Sequence, residues 1–128
     1  MALTVEAALT CRQFDMPDET RLFLDDMGRA EMIEIGGRMV ARTTCEPGWR
    51  WSDHLRPIAQ TKSCKSLHLG TCIAGEMRII MDDGEQMEIR AGDVFEIPPG
   101  HDAEVIGSEA CVILDFGDIA EYAKPFDD

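Results

Sequence analysis

From residue 31 onward, outside the stretch 49–74, the chain is cut every few positions by turn-forming residues. The breaks are Gly36-Gly37, Pro47-Gly48, Gly75-Glu76, Asp82-Asp83-Gly84, Ala91-Gly92-Asp93, Pro98-Pro99-Gly100 and Gly107-Ser108. Segments this short seldom hold the three turns of an average helix, but they hold a strand of ordinary length. The runs between the breaks, 31–35, 38–44, 63–74, 77–81, 86–89, 94–97, 103–106 and 111–116, are therefore predicted strands. Many short strands with almost no helical periodicity point to an all-β sandwich or barrel. The clearest local signal is Asp83-Gly84, because a tight hairpin turn needs positive φ. Met77, Ile79 and Met81 alternate before it, and Met87 and Ile89 continue the pattern after it.

The ends are less patterned. Asp15-Met16-Pro17-Asp18-Glu19 forms turns, residues 21–26 read as a short helix or irregular lead-in, and residues 118–123, ahead of Pro125, read as a helical turn. The expected organisation is a lead-in over 1–30, a barrel over 31–117 and a tail over 118–128.

The 128 residues suffice for one domain with its own core. No apolar run approaches the roughly 20 residues of a membrane span. A formal net charge of −13 would repel a phosphate backbone or an acidic membrane, so neither nucleic acid nor membrane is an expected partner. Five cysteines, Cys11, Cys45, Cys64, Cys72 and Cys111, have no zinc-ribbon spacing and cannot all pair. With no leader-like basic and apolar start, the expectation is reduced, mostly buried thiols in the cytoplasm. No Ser-His-Asp, P-loop or paired-carboxylate pattern supports hydrolysis or phosphoryl transfer.

The stretch Gly92-Asp93-Val94-Phe95-Glu96-Ile97-Pro98-Pro99-Gly100 resembles the second conserved motif of the cupin superfamily, and Gly75 fits the last position of the first motif. The hairpin between Gly75 and Gly92 suits the two-strand insert between those motifs. Residues 47–54 and 98–103, with the lead-in 17–21, are similar to a bacterial group of small single-domain cupins of unassigned reaction. The resemblance implies a double-stranded β-helix, or jelly-roll barrel, with a short N-terminal lead-in and a C-terminal helical turn. It also implies a homodimer, in which residues 3–24 are expected to join the contact.

The usual site of that superfamily combines three histidines and a glutamate, and this chain departs from it. Counting back from Gly75 places His68 at the glutamate position, Cys64 at the second histidine and Lys62 at the first. In the second motif Ala103 holds the ligand position and His101 lies two residues earlier. The only three histidines, His54, His68 and His101, nevertheless all fall in motif regions. Imidazole suits Fe, Zn, Ni, Cu or Mn, and Cys64 as thiolate is a candidate fourth ligand. Cys64 and His68 share strand parity, so a regular strand would turn both inward. A one-residue slip would instead expose His68 and bury Leu67 and Leu69.

Each candidate also has an ordinary reading. His68 could hydrogen-bond an organic ligand, His54 could be exposed, His101 could cap backbone groups, and Cys64 could fill core space. Trp49 and Trp51 share a strand face and, with Cys72, Met77 and Ala103, are candidate walls of a small-molecule pocket, although indoles equally fill cores and interfaces. Two functions follow. One is a divalent-metal barrel acting on a small organic molecule, with oxygenase or isomerase chemistry. The other is a non-catalytic binding or sensing barrel that has lost the metal, as Ala103 suggests. The residues do not decide whether there is turnover, nor on what substrate.

Overall fold

Asp83-Gly84 does reverse the chain. Gly84 takes φ +94°, its N–H donates to the Met81 carbonyl at 2.9 Å, and Met81 N–H donates to the Glu85 carbonyl at 2.8 Å. The structure, a computed structural model, describes residues 8–125. Residues 3–7 of the expected dimer arm and 126–128 of the expected tail lie outside the described residues.

Among the described residues nine strands follow one another: β1 (Glu19–Leu22), β2 (Gly28–Ile35), β3 (Arg38–Cys45), β4 (His68–Ala74), β5 (Glu76–Met81), β6 (Gln86–Arg90), β7 (Val94–Ile97), β8 (His101–Ile106) and β9 (Cys111–Asp115). They build a six-stranded sheet in the order β1-β2-β3-β9-β4-β7 and a three-stranded sheet in the order β6-β5-β8. Every pairing is antiparallel. The two sheets close on one apolar core, with Met77, Ile79 and Ala103 from the smaller meeting Ala41, Ile97 and Ile113 from the larger.

Alternation decides which face is buried. Along β4, His68, Gly70 and Cys72 are buried while Leu69 and Ile73 are exposed. No register slip turns His68 outward. The same period runs through β8, burying His101, Ala103 and Val105, and through β9, burying Cys111, Ile113 and Asp115.

Four local expectations are corrected. Residues 21–26 are not one helix: only Leu24–Asp26 form a single 3-10 turn, and Glu19–Leu22 is an edge strand paired with β2. Its polar sequence hides the strand, which is held by the buried Arg21 donating to the carbonyls of Ile119, Ala120 and Tyr122. The predicted strand 63–74 begins only at His68, and Cys64 instead makes a single bridge to His101. Trp49 and Trp51 share no strand, since Trp51 opens a short helix α1 (Trp51–His54), followed by α2 (Arg56–Ala59) with Pro57 in its first turn. Finally, 118–123 forms a bridge from Asp118 to Leu67 and a turn closed by Tyr122 N–H on the Ile119 carbonyl, with no helix.

Candidate metal centre

His68 opens β4 and His101 opens β8, one on each sheet, so the core between the sheets lies between them. Cys64 is tied to the start of β8 by two backbone bonds. Its N–H donates to the His101 carbonyl at 2.8 Å, and Gly100 N–H donates to the Cys64 carbonyl at 2.7 Å. Gly100 takes φ +95°, which lets the Pro98-Pro99-Gly100 turn bend sharply enough for that bridge. The result is a group of three buried donors, Cys64, His68 and His101, whose ligand atoms all lie within 4.8 Å of one another.

The outer nitrogens of both rings are occupied. His68 Nδ1 lies 2.5 Å from Asp115 Oδ2, and His101 Nδ1 lies 2.7 Å from the Pro98 carbonyl oxygen. A carboxylate and a carbonyl only accept, so each Nδ1 carries a proton, and each Nε2 is left as the ligand atom. His68 Nε2 is 3.6 Å from Cys64 Sγ. A histidine backed by a carboxylate is the usual support of a metal ligand, because it fixes the tautomer and raises basicity.

Asp115 is itself anchored. Its Oδ1 accepts from Gly117 N–H at 3.0 Å, and it is only 1% exposed. Two glycines permit this approach. Asp115 sits opposite Gly70 in the ladder, and a Cβ at Gly70 would meet the Leu114 carbonyl oxygen at 1.9 Å. A Cβ at Gly117 would lie 2.2 Å from the Leu67 carbonyl oxygen and 2.9 Å from His68 Cα.

Electrostatics favour a charge-separated pair in the metal-free site. Burial alone would lower the His68 pKa, but the Asp115 charge and hydrogen bond, helped by Cys64, raise it to about 10. Burial alone would raise the Cys64 pKa, but hydrogen bonds and charge from His101 and His68 bring it down to about 6. A thiolate therefore faces an imidazolium near neutral pH. Cys64, His68 and His101 would hold a metal ion with the sulfur already ionised, at the cost of the proton on His68 Nε2.

The chamber around these donors measures about 20 Å³ and is lined in part by Trp49, Trp51, Met77, Ala103 and Tyr122. That is room for one ion or one small diatomic or water-sized molecule. Tyr122 packs edge-on against His68 with ring centroids 5.0 Å apart, and the two histidine rings are 5.3 Å apart. Trp49 Nε1, buried, finds no acceptor among the described residues, so it is a donor available to a group bound beside it.

Of the expected ligands, the structure brings together Cys64, His68 and His101 and leaves His54 apart. His54 ends α1, and its Nδ1 accepts from its own segment, the Arg50 N–H, at 3.0 Å. Of the expected pocket walls, Trp49, Trp51, Met77 and Ala103 line the chamber. Cys72 does not, and its Sγ instead lies 3.8 Å from that of Cys111. Asp115 and Tyr122 were not expected. Asp115 had one signal, an acid in phase with the apolar Cys111 and Ile113; Tyr122 had none.

No family model matches the chain, and no curated protein matches it by sequence. Solved structures do. An uncharacterised conserved protein with a double-stranded β-helix domain from Klebsiella pneumoniae is 19% identical, with TM-score 0.56 over 87% of this chain and 90% of its own. The cupin domain of a Schizosaccharomyces pombe protein is 13% identical, with TM-score 0.52 over 70% of this chain and 62% of its own. The oxalate decarboxylase of Lactobacillus farciminis, in its formate complex, is 15% identical, with TM-score 0.59 over 96% of this chain and 36% of its own. Two antiparallel sheets closing on a shared core, with these likenesses, identify the chain as a small barrel of the cupin, double-stranded β-helix fold.

Proposed function

We propose that this barrel binds one transition-metal ion through Cys64 Sγ, His68 Nε2 and His101 Nε2. The observation that carries the reading is the convergence of these three buried donors within 4.8 Å. The donor set suits the group: one thiolate and two imidazoles favour a borderline-soft ion such as zinc, and disfavour magnesium or calcium, which take oxygen ligands. Three protein ligands leave a position open, and a bound ion would supply Lewis-acid or redox chemistry there, the requirement of an isomerase or oxygenase. The chain's own part is to hold His68 against Asp115, keep Cys64 ionised and exclude bulk water with Trp49, Trp51 and Tyr122.

A second reading, a non-catalytic binding or sensing barrel, is favoured by Ala103, buried where the fold's last histidine ligand would stand. The proposed setting is a cytoplasmic homodimer. Support comes from the apolar side chains of the lead-in, where Leu9, Met16 and Leu22 are exposed, and sedimentation at micromolar concentration tests it. Among the described residues no helix is long and apolar enough to cross a membrane.

Metal analysis of protein purified without a histidine tag tests the centre. The expected result is one ion per chain, lost in Cys64→Ser and His101→Ala and kept in His54→Ala. Folded protein that takes up no zinc on titration overturns the metal reading and leaves the binding barrel.

A further inference from the structure

The metal chamber admits an ion and little else, so an organic molecule must meet the protein at another cavity. One lies where the two sheets part. β6 ends the smaller sheet and β7 ends the larger, and no ladder joins them. Between them is a cleft of about 250 Å³. Its deepest lining residues are Ile79 and Ile97, each 3% exposed; Met81 and the half-exposed Met87 flank them, and Glu85 and Glu96 are exposed at its rim.

Three features of this cleft argue for a ligand. Ile79 and Ile97 line both the cleft and the metal chamber, so one layer of side chains separates them. Methionine is flexible and polarisable and adapts to varied apolar shapes, which suits a binding surface better than a solvated strand. The lining carries two carboxylates and no basic group. Neither carboxylate is held by an ion pair or side-chain hydrogen bond among the described residues, whereas Glu88 and Glu104 of the smaller sheet are both paired with Arg78.

We propose that this cleft is a binding site for a small molecule joining an apolar body to a cationic amine. The apolar part would lie on Ile79, Ile97 and the two methionines, and the ammonium would face Glu85 and Glu96. Its volume is just below the roughly 300–1,000 Å³ of sites for drug-sized ligands, so the body is a single ring or short chain. An anion of the same shape would meet both rim carboxylates and the net charge of −13. The ligand class rests on the cleft alone. Its bearing on metal chemistry, through the wall of Ile79 and Ile97, rests on the metal reading.

Phenethylamine and hydrocinnamate test the site, since they share a body and differ in charge. Each is titrated into the full chain with isotope-labelled methionine methyls, metal-free and zinc-loaded. Phenethylamine is expected to move the Met81 and Met87 methyl resonances saturably while Met32, in the core, stays still. Hydrocinnamate is expected to bind at least about tenfold more weakly. In the double variant Glu85→Gln and Glu96→Gln, that preference should fall to about twofold or less, with the spectrum of the free protein otherwise retained. Equal binding of the two probes, no shift at Met81 and Met87, or an undiminished preference in the variant would each overturn the proposal. Metal content of the same samples is read separately, so amine binding without zinc uptake would sink only the metal centre.

Discussion

Asp115 Oδ2 lies 2.5 Å from His68 Nδ1, although the two residues are 47 positions apart and belong to different strands. The carboxylate orients a ring that the metal reading needs and supplies the charge that raises its basicity. Asp115→Asn keeps the shape and removes the charge. We expect metal affinity to fall about 10–100-fold with the barrel still folded, as for other partners of metal-bound histidines. Competition with a chromophoric chelator measures it, and unchanged affinity would show that Asp115 is only structural.

The two titrating groups of the metal-free site bracket neutral pH. Cys64 has a folded pKa of about 6, below the ordinary 9.0, so its contribution to stability is present above 9.0 and lost as pH falls through about 6. His68 is raised from 6.5 to about 10, so its contribution is present below 6.5 and lost as pH rises through about 10. The ultraviolet thiolate band of Cys64, read as the difference between native protein and Cys64→Ser, should therefore vanish on acidification through about pH 6. Zinc should hold the band to lower pH, because a coordinating thiol stays deprotonated. A band that appears only at alkaline pH would contradict the pairing.

Gly117→Ala tests how tightly Asp115 and His68 are held. The new methyl would lie 2.2 Å from the Leu67 carbonyl oxygen, a backbone atom that cannot rotate away. The backbone must shift, at a cost of about 1–3 kcal/mol. Urea unfolding should show that loss, together with weaker metal binding. An unaffected midpoint would mean that the approach is looser than it looks.

Arg21 is buried, and its guanidinium serves carbonyls of the C-terminal segment, 2.8 Å from that of Ala120 and 2.7 Å from that of Tyr122. Arg21→Met would leave these acceptors unpaired, and a loss of about 3 kcal/mol is expected. Because Tyr122 packs on His68, metal should also dissociate faster from this variant. Thermal unfolding reads the first effect and a chelator chase the second. A stability loss with unchanged dissociation would separate the clamp from the centre.

The sequence by itself determined most of the strands from residue 31 onward, though not the start of β4. The inward face of His68 rested on its motif position, because alternation alone would have buried Leu69 and Ile73, which are exposed. The strand signals are local. Asp-Gly and Pro-Pro-Gly impose turn angles on their own residues, and an apolar period of two, as at Met77 and Ile79, marks the buried side without reference to any partner. It placed Cys64 and His101 near the centre, though the parity argument for Cys64 failed as a mechanism. Cys64 precedes β4 and reaches the site through its bridge to His101.

Tertiary structure alone decided the remainder. Asp115 meets His68 because β4 and β9 pair with Gly70 opposite Asp115, a register that no local pattern encodes. β1 exists because Arg21 is drawn onto carbonyls roughly a hundred residues away. His54 is left out because α1 turns its ring back onto Arg50. Turn preference and alternation act within a few residues, whereas ladder register and buried charge pairing are settled only when distant strands close on one core.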